Sequence, residues 1–218
     1  MQIPVWTKDL KPCKEITISV ETMRQFWNAN THYHSLVLAS LSPDASRVLE
    51  VGCGDGILSA ELVDAGVPHI VGLDVDQTVL DRARARHKGM EIEWVQGDVL
   101  EVALEPQSFD AVVSVAALHH MDAAQSLKRF AQLVRPGGTV VVIGLAASAW
   151  SDIPLAVVAS IARWVLGLVH GRWNHSAPEC WPPPLTYREM KVLSARVLPD
   201  VRYRRHLLGR YSLVWRKP

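Results

Sequence analysis

The sequence predicts a doubly wound α/β fold built on a mostly parallel sheet. Short β-branched runs alternate with helix-length segments between residues 47 and 144. A glycine-rich stretch, "GCGDG", separates the first of these runs from the first helical segment. Strand–helix–strand units of this length join parallel strands by right-handed crossovers. The 218 residues, 49% apolar and 21% charged, are enough for one substantial core in a single domain.

Each element has its own local reason. Val48–Val51 is a short buried strand, and Gly56–Ala65 a helix with Ile57, Ala60, Leu62 and Val63 on its apolar faces. His69–Leu73 is the second strand, Asp76–Arg86 the second helix, and Glu91–Val95 a third strand that alternates apolar and polar residues. Phe109–Val115 is a strongly apolar fourth strand. Ala123–Val134 is a helix stopped by the turn signal Arg135-Pro136-Gly137-Gly138, after which Thr139–Ile143 forms a fifth strand. Thr186, with Glu189 three positions on, caps a helix over 186–197. "DVRYRRHLLGRYSLVW" gives two strands joined near Leu208-Gly209.

This divides the chain into an N-terminal helical lid (1–45), a ligand-binding core (46–144), a cap insert (145–185), and a C-terminal helix with its hairpin (186–218). Within the insert, the apolar run Ile153–Val169 is marginal in length for a membrane span and contains Arg163, a charge that is costly in lipid. It is read as a helix covering the sheet edge and a substrate cleft, with peripheral membrane contact as the alternative. Pro182–Pro184 end the insert in an extended segment. Trp150, Trp164, Trp173 and Trp181 line a cleft for a flat apolar molecule, or else form the insert's own small core.

Cys13, Cys53 and Cys180 are an odd number, widely spaced and without a CxxC pair. That disfavours a disulfide framework or structural zinc and favours a reducing cytoplasm. The first 15 residues lack the basic patch and apolar run of a secretory signal. The net charge of +1 hides an asymmetry: residues 44–110 hold 14 acids and 5 bases, residues 188–218 hold 9 bases and 2 acids. The basic end is either a solvated hairpin face, which its aliphatic alternation favours, or an anion-binding surface.

Ligands of open parallel sheets bind beyond the carboxyl ends of the strands. Gly52, Gly54 and Gly56 follow the first strand, and the expectation is that they let a ligand lie against bare backbone. Such a loop serves NAD, FAD or S-adenosylmethionine, or is only a tight turn. Asp74 closes the second strand in "GLDVD", where a carboxylate can accept both hydrogen bonds of a ribose diol. Asp98, in "QGDVLE", can face a purine amine. Glu50, one residue before Val51 and the glycines, would repel a pyrophosphate and suits a phosphate-free cation. Charge therefore favours S-adenosylmethionine over a dinucleotide.

"VLEVGCGDG", "GLDVD", "QGDVLE", "FDAVVSVAALHHM" and "LVRPGGTVVVIG", in this order and spacing, resemble the successive motifs of class I S-adenosylmethionine-dependent methyltransferases over residues 47–144. The resemblance implies a seven-stranded, Rossmann-like sheet whose last strand is antiparallel. It also implies that Glu50, Gly52 and Gly54 line the methionine part of the cofactor, with Cys53 a small residue of the same loop. Asp74 would hold the ribose, Val75 would lie on the adenine, and Asp98 and Val99 would bind or flank the purine. Ser114 and Ala116 would be near the transferred methyl.

Methyl transfer from a sulfonium is an in-line displacement, in which a protein base is needed only when the acceptor must lose a proton. His119 and His120, on the loop after the fourth strand, are candidates for that base; the alternative is that they are scaffold. In "WNANTHYHSL", Tyr33 would bond the methionine carboxylate and His32 would face the acceptor, unless this is simply a helix packing on the core. No metal site is expected. The expected acceptor is a hydrophobic or aromatic small molecule. A nucleic-acid substrate is disfavoured, because the fourth strand ends "SVAALHH" without the Asn/Asp-Pro-Pro-aromatic grip for a flipped base. A third alternative is a non-catalytic, cofactor-binding regulatory protein of the same fold.

Overall fold

A computed structural model describes residues 27–149, 158–162, 164–166 and 182–218. Seven strands form one sheet: β1 (Arg47–Val51), β2 (His69–Asp74), β3 (Ile92–Gln96), β4 (Phe109–Val115), β5 (Val134–Gly144), β6 (Arg202–His206) and β7 (Arg210–Arg216). Their order is β3-β2-β1-β4-β5-β7-β6. β7 runs antiparallel to both neighbours and every other pair is parallel. Among the described residues the sheet is flanked by α1 (His34–Ser40), α2 (Ile57–Asp64), α3 (Gln77–Arg86), α4 (Ala123–Leu133) and α5 (Tyr187–Val197).

The continuous apolar character of the inner strands follows from burial on both faces. Successive side chains point to opposite sides, so Val48, Ile70, Val113 and Val141 pack with Val37 and Leu38 of α1 and with Leu58 and Leu62 of α2. Leu49, Val71, Val112 and Val140 pack on the other side, against Leu127, Phe130 and Leu133 of α4 and Met190 of α5. Glu50 is on the Val48 side, a carboxyl at a core position of the strand. From β1 the chain winds outward to β3 and then crosses back to β4, on the far side of β1. The reversal opens a crevice at the carboxyl ends of β1 and β4.

One sequence expectation needs correction. α4 ends at Leu133, ahead of Arg135-Pro136-Gly137-Gly138, which is not a free turn before a fifth strand. Val134 is already extended and pairs with Phe109, whereas Ala111 pairs with Thr139. The four residues 135–138 bulge out of β5 against a single residue of β4. The bulge is fastened from outside: Gly137 N–H donates to the Lys217 carbonyl and Lys217 N–H to the Gly138 carbonyl, each at 2.9 Å.

The basic C-terminal hairpin spends much of its charge on the protein itself. Lys217 Nζ donates to the Ala131 and Val134 carbonyls at 2.7 and 2.9 Å, satisfying the end of α4. Arg216 Nε donates to the Gly137 carbonyl, Arg210 Nε to Asn30 Oδ1, and the Arg205 guanidinium lies 3.8 Å over the Tyr187 ring. Within the insert, residues 158–162 and 164–166 are helical. Ala162 and Leu166 pack on the α1–α2 side of the core, while Val158, Ile161, Trp164 and Val165 are exposed. Trp164 thus faces outward rather than into a cleft. Trp150, Trp173 and Trp181, with Cys13, Cys180 and most of the expected lid and cap, lie outside the described residues. Among the described residues no helix is long and apolar enough to cross a membrane.

Candidate functional site

A cleft of about 490 Å³ opens at the carboxyl ends of β1, β2 and β4. Its floor is the loop after β1, where Gly52 and Gly54 have φ of +73° and +54°. A Cβ at Gly52 would collide with the Ala117 methyl, and one at Gly56 with the Trp94 ring. At Gly54 a Cβ would meet nothing within 4 Å. The three glycines thus differ in what their missing side chains admit, and Gly52 and Gly54 both line the cleft. Gly52 and Gly56 admit the protein's own side chains, and Gly54 leaves bare backbone facing open space.

Asp74 ends β2 with both oxygens anchored. Oδ2 accepts from Gly54 N–H at 2.9 Å and Oδ1 from Asp76 N–H at 3.1 Å. Beside it Val75 is 64% exposed. Asp98 Oδ1 accepts from Leu100 N–H at 2.9 Å, which turns the chain after β3 so that Leu100 lines the cleft and Val99 is buried beneath. Glu50 is buried, and Ser59 Oγ of α2 donates to its Oε2 at 2.5 Å. Burial pushes the Glu50 carboxyl up to about 8; the Ser59 bond opposes this and the nearby Glu61 and Asp74 charges reinforce it. Among the described residues it has no ion-pair partner. Burial, then Glu50 and Asp74, also push the Cys53 thiol far up, so it stays protonated as a small packing residue.

The other predicted residues divide. Ala116 lines the cleft in a left-handed conformation (φ +54°), with its N–H donating to the Ile143 carbonyl at 2.7 Å. Ser114 is fully buried beneath the wall; its Oγ donates to the Val51 carbonyl at 2.9 Å and ties β4 to β1. The short 3₁₀ turn Leu118–His120 separates its two histidines. His120 lines the cleft and is exposed, whereas His119 is off the wall with its ring 4.0 Å from that of His120. His119 Nδ1 is buried without a hydrogen-bond partner among the described residues. Burial, then His120 and Arg210, push this imidazole down to about 4, so it is neutral near pH 7. Burial lowers His120 too, and Asp74 partly offsets this.

Tyr33 is also off the wall. Its hydroxyl accepts from Leu208 N–H at 3.3 Å and fastens the N-terminal segment to the β6–β7 turn. His32 packs between the rings of Trp27 and Tyr33, at centroid distances of 6.4 and 4.9 Å, and does not line the cleft. The same segment also lines the cleft with Asn28, Asn30, Thr31 and His34, to which the sequence assigned no role. His34 Nδ1 is 2.9 Å from Glu61 Oε2 of α2, with both side chains buried. A signal existed: His34, Val37 and Leu38 are spaced i, i+3, i+4, which puts the histidine on the core face of its helix.

The wall carries Glu50, Asp55, Asp74, Asp76, Asp98 and Asp122 against one guanidinium, Arg82, already paired with Asp55 at 3.1 Å. This charge suits a cationic ligand without phosphates, and the open space over Gly54 beside the exposed Val75 leaves room for it. Among the described residues no group of three or more His, Cys, Asp or Glu side chains is arranged to hold a metal.

This strand order, with a glycine loop after β1 and carboxylates at the tips of β1 and β2, is that of a class I S-adenosylmethionine-dependent methyltransferase. Residues 48–138 match the family model described as a methyltransferase domain. An uncharacterized methyltransferase of Mycobacterium tuberculosis (strain H37Rv) is 40% identical over 197 residues, 90% of this chain and 100% of that one. The chain belongs to this methyltransferase family. A ubiquinone biosynthesis O-methyltransferase of Aeromonas salmonicida is 39% identical over 98 residues, 43% of this chain and 41% of that protein. Among solved structures, the (4+2)-cyclase SpnF shares the fold with a TM-score of 0.64 at 15% identity, over 88% of this chain and 84% of that one.

Proposed function

We propose that the protein binds S-adenosylmethionine in this cleft and transfers its methyl group to an O, N or C nucleophile of an apolar small molecule. The observation that carries the reading is the buried Glu50 carboxyl, without a cation partner, in an acid-lined cleft whose floor at Gly54 is open backbone. A pyrophosphate would be repelled there, whereas an ammonium would supply the missing charge.

In this reading Glu50, Gly52 and Gly54 hold the methionine part and Asp74 accepts from the ribose diol. Val75 and Val99 flank the adenine, Asp98 faces its amine, and Ala116 bounds the reacting methyl. When bound, the cofactor supplies a methyl activated by a sulfonium. The chain's own work is to align the acceptor with that carbon and to keep water out. A nucleic-acid acceptor is less well supported, because Arg210, Arg216 and Lys217 are bonded to the protein itself.

Incubating small-molecule and macromolecular extracts with methyl-labelled S-adenosylmethionine tests the acceptor class; label confined to RNA or protein would overturn it. The cofactor's pose has its own check. Asp74→Ala is expected to weaken S-adenosylmethionine binding by about 1.5–3 kcal/mol, the scale for hydrogen bonds to a charged group. Titration calorimetry reads this directly, and an unchanged affinity would mean that the ribose lies elsewhere.

A further inference from the structure

His34 is the one histidine of the cleft wall that a carboxylate holds, among the described residues. Its position is set from three directions. Asn28 Oδ1 accepts from the N–H groups of Asn30 and Thr31 at 2.7 and 3.0 Å, which fixes the chain entering the 3₁₀ turn. Val37 and Leu38, one turn along α1, are buried in the core and fix the helix behind the imidazole. Glu61 reaches it from α2, the helix that follows the glycine loop. A carboxylate only accepts hydrogen bonds, so the Nδ1 contact puts the ring proton on Nδ1 and leaves the lone pair on Nε2. Nε2 has no hydrogen-bond partner among the described residues, and His34 lines the cleft together with Glu50 and Leu58.

Burying a carboxylate–imidazole pair costs desolvation and is weak as a stabilising device. As a proton acceptor on a cleft wall it has a clear use. A base needs a second group to fix its tautomer and to stabilise the cation it becomes. His120 shares the wall but no carboxylate among the described residues is bonded to it, and His119 is off the wall.

Building on the methyl-transfer reading, we propose that His34, positioned by Glu61, is the general base of the reaction and that the accepting group is a hydroxyl. A neutral amine already offers a lone pair, whereas a neutral hydroxyl gains most from losing its proton as it attacks. His34 Nε2 takes the hydroxyl proton while the oxygen's electron pair bonds to the methyl carbon. The carbon–sulfur bond breaks and its pair remains on sulfur, leaving a neutral thioether. The imidazolium then gives its proton to water. Glu61 holds the Nδ1 proton and faces the ring as it becomes positive.

The test uses the full chain, methyl-labelled S-adenosylmethionine, a series of phenols running from phenol to 4-nitrophenol, and a parallel series of aliphatic alcohols. His34→Gln and Glu61→Gln should bind S-adenosylhomocysteine within about threefold of wild type, which also reports that they fold. On phenol, His34→Gln should lose about 10²–10⁴-fold in kcat, the range for a general base. On 4-nitrophenol, which ionises unaided in mildly alkaline buffer, the loss should be only a few-fold. Glu61→Gln should lower kcat for phenol with KM for the cofactor unchanged. Equal losses across the phenol series, or a tenfold weaker cofactor affinity in His34→Gln, would overturn the proposal and make His34 structural or a cofactor clamp. So would a wild-type protein that binds the cofactor yet labels no hydroxyl. A wild-type protein that binds no S-adenosylmethionine fails earlier, at the methyl-transfer reading itself.

Discussion

Glu50→Gln is expected to unfold later than the wild-type protein while binding S-adenosylmethionine at least about tenfold more weakly, the scale of one lost charge-assisted bond. The two effects have a single origin. Burial raises the folded-state carboxyl from 4.5 to about 8. The folded protein therefore keeps this proton up to about pH 8, while the unfolded chain releases it near the ordinary carboxylate value. The stability this group contributes is fully present below about pH 4.5 and erodes as pH rises towards 8. At pH 7 the penalty is on the order of 2–4 kcal/mol, at 1.36 kcal/mol per pH unit. Glutamine has the same shape, still accepts from Ser59, and never ionises, so it removes the penalty. Its gain should be under about 1 kcal/mol at pH 5 and on the order of 4 kcal/mol at pH 8. At pH 7 this corresponds to roughly 5–15 °C in melting temperature for a domain of this size. Urea unfolding at the two pH values is the measurement, and a gain that did not grow with pH would refute the buried-charge account. The wild-type protein should release about one proton when it takes up the cationic cofactor below pH 8, and Glu50→Gln should not; calorimetry in two buffers of different ionisation enthalpy separates them. A carboxyl held at a core position at the expense of stability is what a site built for a cation looks like.

The parts of the fold that were legible in the sequence are those decided locally. β4, Phe109–Val115, is apolar at five of its seven positions because both its faces are buried, and so short a run of aliphatic residues fits a buried strand. The Thr186–Glu189 capping box closes on itself within four residues, so α5 needs no distant partner to be found. Asp74 and Asp98 were readable as cleft residues because a carboxylate just past a parallel strand has only the carboxyl edge to occupy.

What was missed depends on contacts far away in the chain. The bulge at 135–138 is held by Lys217, and local turn chemistry does not say whether a turn lies inside a strand or after it. Positive φ at Gly52 is inferable from its loop, but that the Ala117 methyl is what approaches it is not. Tyr33 reaches Leu208, on the opposite end of the sequence, and so is off the cleft wall. His119 and His120 are adjacent, and only the 3₁₀ turn decides which of them meets the cleft. His34 was hidden for another reason. His32, Tyr33 and His34 read as one polar cluster, and only the helical register that sets His34 over Val37 and Leu38 singles it out.

Gly52→Ala and Gly54→Ala should separate folding from binding within one loop. Both glycines have positive φ, so alanine at either costs about 1–2 kcal/mol in backbone strain. At Gly52 the added methyl also collides with Ala117, part of the tightly packed segment after β4, and overpacking adds about 1–3 kcal/mol. Gly52→Ala is therefore expected to lose about 2–5 kcal/mol of stability, a large share of a typical domain's total. At Gly54 the methyl meets nothing within 4 Å, and the loop's N–H bond to Asp74 survives. Gly54→Ala should fold with only the strain penalty. Its methyl, however, projects into the space where a ligand would lie on the backbone, and displacing that ligand by even part of an ångström removes several contacts at once. A fall of tenfold or more in S-adenosylmethionine affinity, with urea unfolding nearly normal, is the expected pair of results for Gly54→Ala. Full affinity in that variant would place the ligand away from the loop, and the open floor at Gly54 would then need another explanation.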